Sequence, residues 1–85
     1  MEVNENLRNA IFEVIDSQIN DNNPAETALT LKRLRDEGHS EFEAKQFIGQ
    51  AVAIELFYVM KKKIPFNEVR YIKNLKNLPK EPVET

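Results

Sequence analysis

The chain contains no cysteine, only two glycines and a single histidine in 85 residues. Without cysteine, neither a disulfide nor a thiolate metal site can form, so a reducing compartment is expected. His39 alone cannot supply the three or four convergent ligands of a zinc site. Two glycines are too few for a glycine-rich loop that cradles phosphate. We therefore expect no bound metal and no cofactor.

The chain also lacks an apolar run long enough to span a bilayer. Its most apolar segment, residues 47–60, has 14 residues against the roughly 20 required, and it carries Glu55 near its middle. Residues 1–9 are polar and acidic, unlike the basic start and apolar stretch of a secretory signal. We expect a cytoplasmic protein without a membrane partner.

Apolar residues recur at steps of three and four in four segments, which is the helical period. The predicted helices cover residues 5–20, 24–37, 41–62 and 67–78. Pro79 and Pro82 then prevent regular structure. The sequence thus predicts one helical domain over residues 1–78 and a flexible tail over residues 79–85.

Residues that favour helix ends stand at the predicted boundaries. Asn23 is placed to cap the second helix, with Pro24 at its first position. Ser40 and Glu43 have the spacing of a capping box at the start of the third helix. Asn67 is placed to cap the fourth helix. Each predicted helix after the first therefore has a start signal of its own.

The third predicted helix is apolar on nearly all sides, because only Gly49, Gln50 and Glu55 interrupt the apolar residues from 47 to 60. Such a helix must be surrounded by other parts of the protein. The other three segments are apolar on one face only and can surround it. We predict an all-α fold, a compact four-helix bundle of irregular or orthogonal packing, built around a long central third helix.

Glu55 is the one charge that falls on an apolar face of this helix. An unpaired carboxylate there would lose solvation worth several kcal/mol, so we expect it to be protonated, paired, or open to water or a ligand. The candidate partners are Arg35, Gln18, Tyr58 and Tyr71. An internal structural pair is favoured. The alternatives are a small enzyme or ligand-binding domain with Glu55 in a pocket, and a second subunit that meets this face.

Leu56, Phe57 and Met60 are predicted to point away from Glu55, on the second side of the third helix. This gives more apolar surface than three short helices readily cover. Large uncovered apolar patches usually mark an interface. The leading prediction is therefore a non-catalytic protein interaction module, binding a protein partner or a second copy of itself as a homodimer.

Charge is unevenly distributed along the chain. Residues 1–57 hold 5 basic and 11 acidic side chains, and residues 58–85 hold 7 basic and 3 acidic ones. A candidate basic patch is formed by Lys61, Lys62, Lys63, Arg70, Lys73 and Lys76. Such a strip could track phosphates, so a nucleic-acid-binding accessory protein is an alternative, although lysines commonly line a solvated face and suit the end of a helix.

No catalytic residue is predicted. Ser17 and Ser40 have no histidine or aspartate arrangement that spacing alone supports, and Ser40 is already placed as a helix cap. The sequence likewise predicts no residue that binds a cofactor or a metal. We expect a protein that is not an enzyme.

Several short patterns of packing and capping residues recur together between residues 22 and 79. They are Asn23-Pro24, the turn from Arg33 to Gly38, the segment Glu41 to Ala44, Ile48-Gly49, and the segment Pro65 to Tyr71. In this order they resemble a family of small bacterial helical proteins classified as a domain of unknown function. The resemblance implies a helical fold and no established activity.

Relatives in that family can carry histidines in the first helix and at the start of the long helix. This chain has Phe12-Glu13 and residues 42–46 at those places, without histidine. Any metal or acid-base site that the resemblance implies is therefore not carried over to this chain.

Overall fold

The computed structural model describes residues 5–84, which form four helices and no strand. The helices are α1 (Glu5–Asp21), α2 (Ala25–Asp36), α3 (Glu41–Phe57) and α4 (Glu68–Asn77). A π-helical turn, Tyr58–Lys62, extends α3 without interruption to a long helix of 22 residues. The predicted all-α bundle with a long third helix is confirmed.

The ends of α3 and α4 follow from their capping residues. The Ser40 hydroxyl accepts a hydrogen bond from the Glu43 N–H at 3.1 Å, and the Glu43 carboxylate accepts one from the Ser40 N–H at 2.9 Å. The bond from the Ser40 N–H, together with the nearby Ser40 hydroxyl, holds the pKa of the Glu43 carboxyl below its ordinary value. The Asn67 side chain accepts from the Arg70 N–H at 3.0 Å. Both predicted caps are confirmed.

The turn between α2 and α3 depends on a glycine. Gly38 has φ +103°, its N–H bonds to the Arg35 carbonyl at 3.0 Å, and the N–H of His39 bonds to the Leu34 carbonyl at 3.1 Å. This pair of bonds is a Schellman motif. The motif needs one residue in a left-handed backbone conformation, which glycine adopts without steric cost.

The start of α2 differs from the sequence prediction. Pro24 is itself the N-cap residue, with φ −72° and ψ 150°, and no side chain caps this helix. The predicted role of Asn23 as the cap was wrong. The physical reason is that Pro24 is extended, so the helix begins one residue later, at Ala25.

The core surrounds α3, which packs against α1, α2 and α4. Its fully or almost fully buried apolar side chains are Ile11, Ile15, Leu34, Ala44, Ile48, Ala51, Val52, Tyr71, Leu75 and Leu78. Gly49 lets α1 approach closely, because a Cβ atom at this position would lie 3.2 Å from Ile11 Cγ2. Four of the core residues belong to α3, so the central place predicted for this helix follows from its own apolar content.

Segment 79–84 contains neither helix nor strand, and it returns along α4. The buried Asn74 side chain donates to the Val83 carbonyl at 2.8 Å and accepts from the Val83 N–H at 3.0 Å. One side-chain amide thus binds both backbone groups of one residue. The flexibility predicted for residues 79–85 stays a prediction.

Candidate functional site

Glu55 is fully buried and paired. Its Oε2 atom accepts from Arg70 Nε at 2.6 Å, and its Oε1 atom accepts from an Arg70 terminal nitrogen at 2.9 Å and from the Asn67 N–H at 2.8 Å. The guanidinium therefore binds the carboxylate in a two-point fork, the strongest geometry for such a pair. This ion pair joins α3 to the start of α4.

The partner expected from the sequence was wrong. Arg35 is exposed on α2 and does not bond to Glu55, whereas Arg70 lies in the first turn of α4 and faces it. Tyr58 does not donate its hydroxyl to Glu55; its ring lies 4.2 Å from the Arg70 guanidinium carbon, a cation–π contact. Residues on α4 are near Glu55 because the chain reverses after α3, which helix periodicity does not reveal.

The other two candidate partners belong to a second polar cluster, between α1, α2 and α4. The Gln18 Oε1 atom accepts from the Tyr71 hydroxyl and from the Thr27 hydroxyl, both at 2.7 Å. Thr27 and Tyr71 are fully buried. Gln18 and Tyr71 are therefore paired with one another and not with Glu55. Each buried side-chain oxygen or nitrogen among residues 5–84 has a hydrogen-bond partner.

Burial raises the pKa of Tyr71 to about 12, from an ordinary value of 10.0. The folded state thus holds this proton more tightly than the unfolded state, so the stabilisation is complete below pH 10.0 and is lost as the pH rises to about 12. We expect this residue to make the free energy of unfolding fall by about 1.4 kcal/mol per pH unit in that interval. Urea unfolding at a series of alkaline pH values measures it.

The Tyr71→Phe variant provides the comparison, because phenylalanine fills the same space without a titrating hydroxyl. It is expected to be less stable than wild type by about 0.5–1.5 kcal/mol at neutral pH, where one hydrogen bond is lost. The gap between the two proteins should shrink above pH 10.0. Parallel curves for the two proteins across the alkaline range would show that Tyr71 is not responsible.

The predicted interface residues do not share one surface. Leu56 packs against the core, so its predicted place on an open contact side was wrong. Phe57 is half-buried and lines a groove, and Met60 is 56% exposed beyond the end of α3. They separate because Leu56 packs against the core, and because the π-helical turn shifts the register before Met60.

An open groove of about 1380 Å³ runs along α3, which we name the α3 groove. One wall is formed by α1 and the other by segment 79–84. Its lining comprises Arg8, Ile11, Phe12, Glu43, Gln46, Phe47, Gly49, Gln50, Ala53, Ile54, Phe57, Pro79, Glu81, Pro82 and Glu84. Ile54 and Phe57 are half-buried in this groove and do not belong to the core cluster.

The lining of the α3 groove combines apolar side chains with charged ones, most of them acidic. Its floor is mostly apolar, and its lining carries three carboxylates, Glu43, Glu81 and Glu84, against one cation, Arg8. The arrangement can bind an apolar segment and offers acidic groups to a cationic one. Glu55 is not among the lining residues. The buried carboxylate and the open groove are therefore separate features.

In the candidate basic patch the lysines are exposed to solvent, but the arginine is not. Lys61, Lys62 and Lys63 are exposed at the end of the long helix, and Lys73 and Lys76 are exposed on α4. The Arg70 side chain is only 12% exposed, because it is bound to Glu55. Its predicted place in a phosphate-binding strip was therefore wrong. The sequence places it in line with Lys73 and Lys76, and only the packing turns it inward.

Among residues 5–84, no three histidine, aspartate or glutamate side chains are grouped so that they could hold a metal ion. None of the described helices is both long and apolar enough to cross a membrane. No family model, no curated protein and no solved structure matches this chain. The resemblance to the bacterial helical family stays a prediction, and the function rests on the site itself.

Sequence reasoning missed the α3 groove, although it named Phe57. The groove needs the tail as a wall, and the tail is held there by the side chain of Asn74. The available signal was the apolar face continuing through Ala53, Ile54 and Phe57, wider than the predicted neighbours could cover. The position of the uncovered strip depends on where α1 and the tail pack.

Proposed function

We propose that this protein is a non-catalytic interaction module whose α3 groove binds an amphipathic helix of a partner protein. The observation that carries the proposal is the strip of half-buried apolar side chains on α3 that neither the core nor another helix covers. Ile54 and Phe57 lie in this strip. Apolar surface of this kind is stabilised when a partner removes it from water.

The size of the groove favours a segment of protein over a small molecule. Its volume of about 1380 Å³ is above the roughly 300–1,000 Å³ of typical small-molecule sites. Along α3 it extends from Glu43 to Phe57, about 21 Å at 1.5 Å per residue. That length matches about four turns of a partner helix, whose apolar side chains at helical spacing would contact the floor.

The charge of the groove favours a basic partner. Three carboxylates against one guanidinium give its lining an acidic balance. A helix with lysines beside its apolar face would place cations near these carboxylates, which favours association and rejects acidic competitors. The rest of the groove contributes by excluding water from the apolar contact.

The other two predicted functions have less support. Glu55 is closed off by Arg70 and the Asn67 N–H, so it offers no free carboxylate to a ligand. The basic patch has its arginine engaged in the core. The interaction module therefore remains the function that the described geometry favours.

The test uses a synthetic leucine-lysine peptide of about four helical turns, titrated into the full chain and followed by chemical shifts of α3. We expect saturable binding that weakens at least about tenfold in Ile54→Glu, which places a charge on the groove floor. A leucine-glutamate peptide of the same pattern should bind more weakly than the leucine-lysine peptide, because the groove lining is acidic.

Ile72→Glu is the matched control, because Ile72 is also a half-buried isoleucine on a helix, outside both the core cluster and the groove. Its peptide affinity should stay within about twofold of wild type, since surface substitutions away from a contact have small effects. Failure of both peptides to bind, or equal losses in the two variants, would contradict the proposal. A concentration-dependent dimer abolished by Ile54→Glu would replace the partner helix by a second copy.

A further inference from the structure

Exposed apolar side chains are concentrated at the corner between the long helix and α4. Eight large apolar residues are exposed in the described chain, and five of them fall within residues 59–69. These five are Val59, Met60, Ile64, Phe66 and Val69. Val69 is 80% exposed and Met60 is 56% exposed. We name residues 59–69 the apolar corner.

The apolar corner is held in place by the bonds at its base. The Ile64 N–H bonds to the Tyr58 carbonyl at 3.2 Å, and Lys63 adopts a left-handed conformation with φ +58°. The Glu55 carboxylate then binds the Asn67 N–H and Arg70. The exposed side chains are therefore displayed by a fixed turn, and the ion pair with Glu55 closes it.

Three consecutive lysines lie within the same corner. Lys61, Lys62 and Lys63 are all exposed, and none takes part in the salt bridges found among residues 5–84. Glu68 is the one acidic residue between positions 59 and 69. The corner therefore combines apolar side chains with an excess of positive charge, a combination that fits a surface both anionic and apolar.

We propose that the apolar corner docks on an anionic lipid surface. Lysine is depleted at interfaces between proteins, whereas clustered lysines are attracted to anionic headgroups. Aliphatic side chains such as Val59, Met60 and Ile64 offer no stacking surface to nucleic-acid bases, and the Phe66 ring already lies against Tyr71 at 5.2 Å. Among proteins, nucleic acids and lipids, an anionic lipid surface is the partner that would contact both the lysines and the apolar side chains of the corner.

In this arrangement the lysines lie among the headgroups and the exposed apolar side chains enter the boundary with the acyl chains. Contact of this kind needs no spanning segment, because apolar groups enter only the interfacial region. The sequence analysis expected no membrane partner from the length of the apolar run alone. That length bears on crossing a bilayer and not on docking to its surface.

The experiment is co-sedimentation of the full chain with phosphatidylcholine vesicles, with and without phosphatidylserine. We expect binding to the anionic vesicles only, weakening as salt is added because the attraction is screened. Replacing the three lysines, as Lys61→Gln, Lys62→Gln and Lys63→Gln together, should weaken binding about a hundredfold. Met60→Ser with Ile64→Ser should weaken it about tenfold.

Leu29→Ser is the matched control, since Leu29 is 64% exposed on α2, outside the corner. Its vesicle binding should equal that of wild type, and circular dichroism should show all variants folded. Absence of binding to anionic vesicles, or equal losses in the control, would overturn the proposal. So would binding that depends on the lysines and ignores Met60 and Ile64, since any basic surface would behave in that way.

The two proposals fail independently. Ile54→Glu changes the α3 groove, which does not contain residues of the apolar corner, so it should leave vesicle binding unchanged. The triple lysine variant should likewise bind the leucine-lysine peptide as wild type does. Loss of vesicle binding in Ile54→Glu would overturn the assignment of lipid docking to the corner.

Discussion

Replacing Arg70 by methionine is expected to lower the free energy of unfolding by about 3–5 kcal/mol, the usual effect of removing one partner of a buried ion pair. Glu55 would remain fully buried with only the Asn67 N–H to solvate it. An 85-residue domain has roughly 4–13 kcal/mol of stability in total, at about 0.05–0.15 kcal/mol per residue. Urea unfolding followed by circular dichroism measures the loss.

The comparison is the double variant Glu55→Gln with Arg70→Met. It removes both charges while the glutamine oxygen can still accept from Asn67, so we expect it to recover much of the lost stability. The coupling between the two sites then follows from a double-mutant cycle. A loss below about 1 kcal/mol in Arg70→Met would contradict this account, because exposed ion pairs have effects of that size.

Ile48→Ala is expected to cost about 2–5 kcal/mol, since it opens a cavity in the middle of the core. Ile48 is fully buried on the central helix. The helix packs against α1, α2 and α4, so closing the cavity would require these helices to shift. Urea unfolding again provides the measurement, and an unchanged slope would show that the two-state transition is kept.

Ile54→Ala is the matched control for this prediction. The residue type and the helix are the same, but Ile54 lines the α3 groove and does not belong to the core cluster. We expect a loss below about 1 kcal/mol, because the truncated side chain leaves space that is already open to water. Equal losses at the two positions would mean that the groove face of α3 is packed as tightly as the core face.

The two faces of α3 thus have different roles. The core face holds the bundle together, while the groove face is the one that we propose for a partner. The Glu55 ion pair belongs to neither, since it fixes the reversal of the chain between the long helix and α4. That reversal displays the apolar corner. A single inward-facing charge therefore contributes to the geometry of a surface that lies outside the core, together with the turn at Lys63.

Much of the fold was predictable from local chemistry. The helix boundaries follow from Ser40, Glu43 and Asn67, whose side chains bond to backbone N–H groups a few residues away. Gly38 ends α2 for an equally local reason, its positive φ. The boundary that failed, at Asn23 and Pro24, lies where the proline itself is extended and becomes the N-cap.

The candidate site was predictable only in part. A helical wheel places Glu55 inward because that depends on positions along one helix. It does not identify Arg70 as its partner, because 15 residues and a chain reversal separate the two. The same limit applies to Leu56. Helical periodicity placed it on an open side, whereas in the folded bundle it packs against the core.

The sequence by itself determined the number of helices, the central place of the third, and the position of Glu55 on an apolar face of that helix. These depend on the period of apolar residues and on short-range hydrogen bonds, which any folded arrangement must satisfy. Only the tertiary structure decided which cation meets Glu55, which apolar strip remains uncovered as the α3 groove, and where the tail lies. Those outcomes depend on contacts between residues far apart in the chain, and helical periodicity carries no information about such distances.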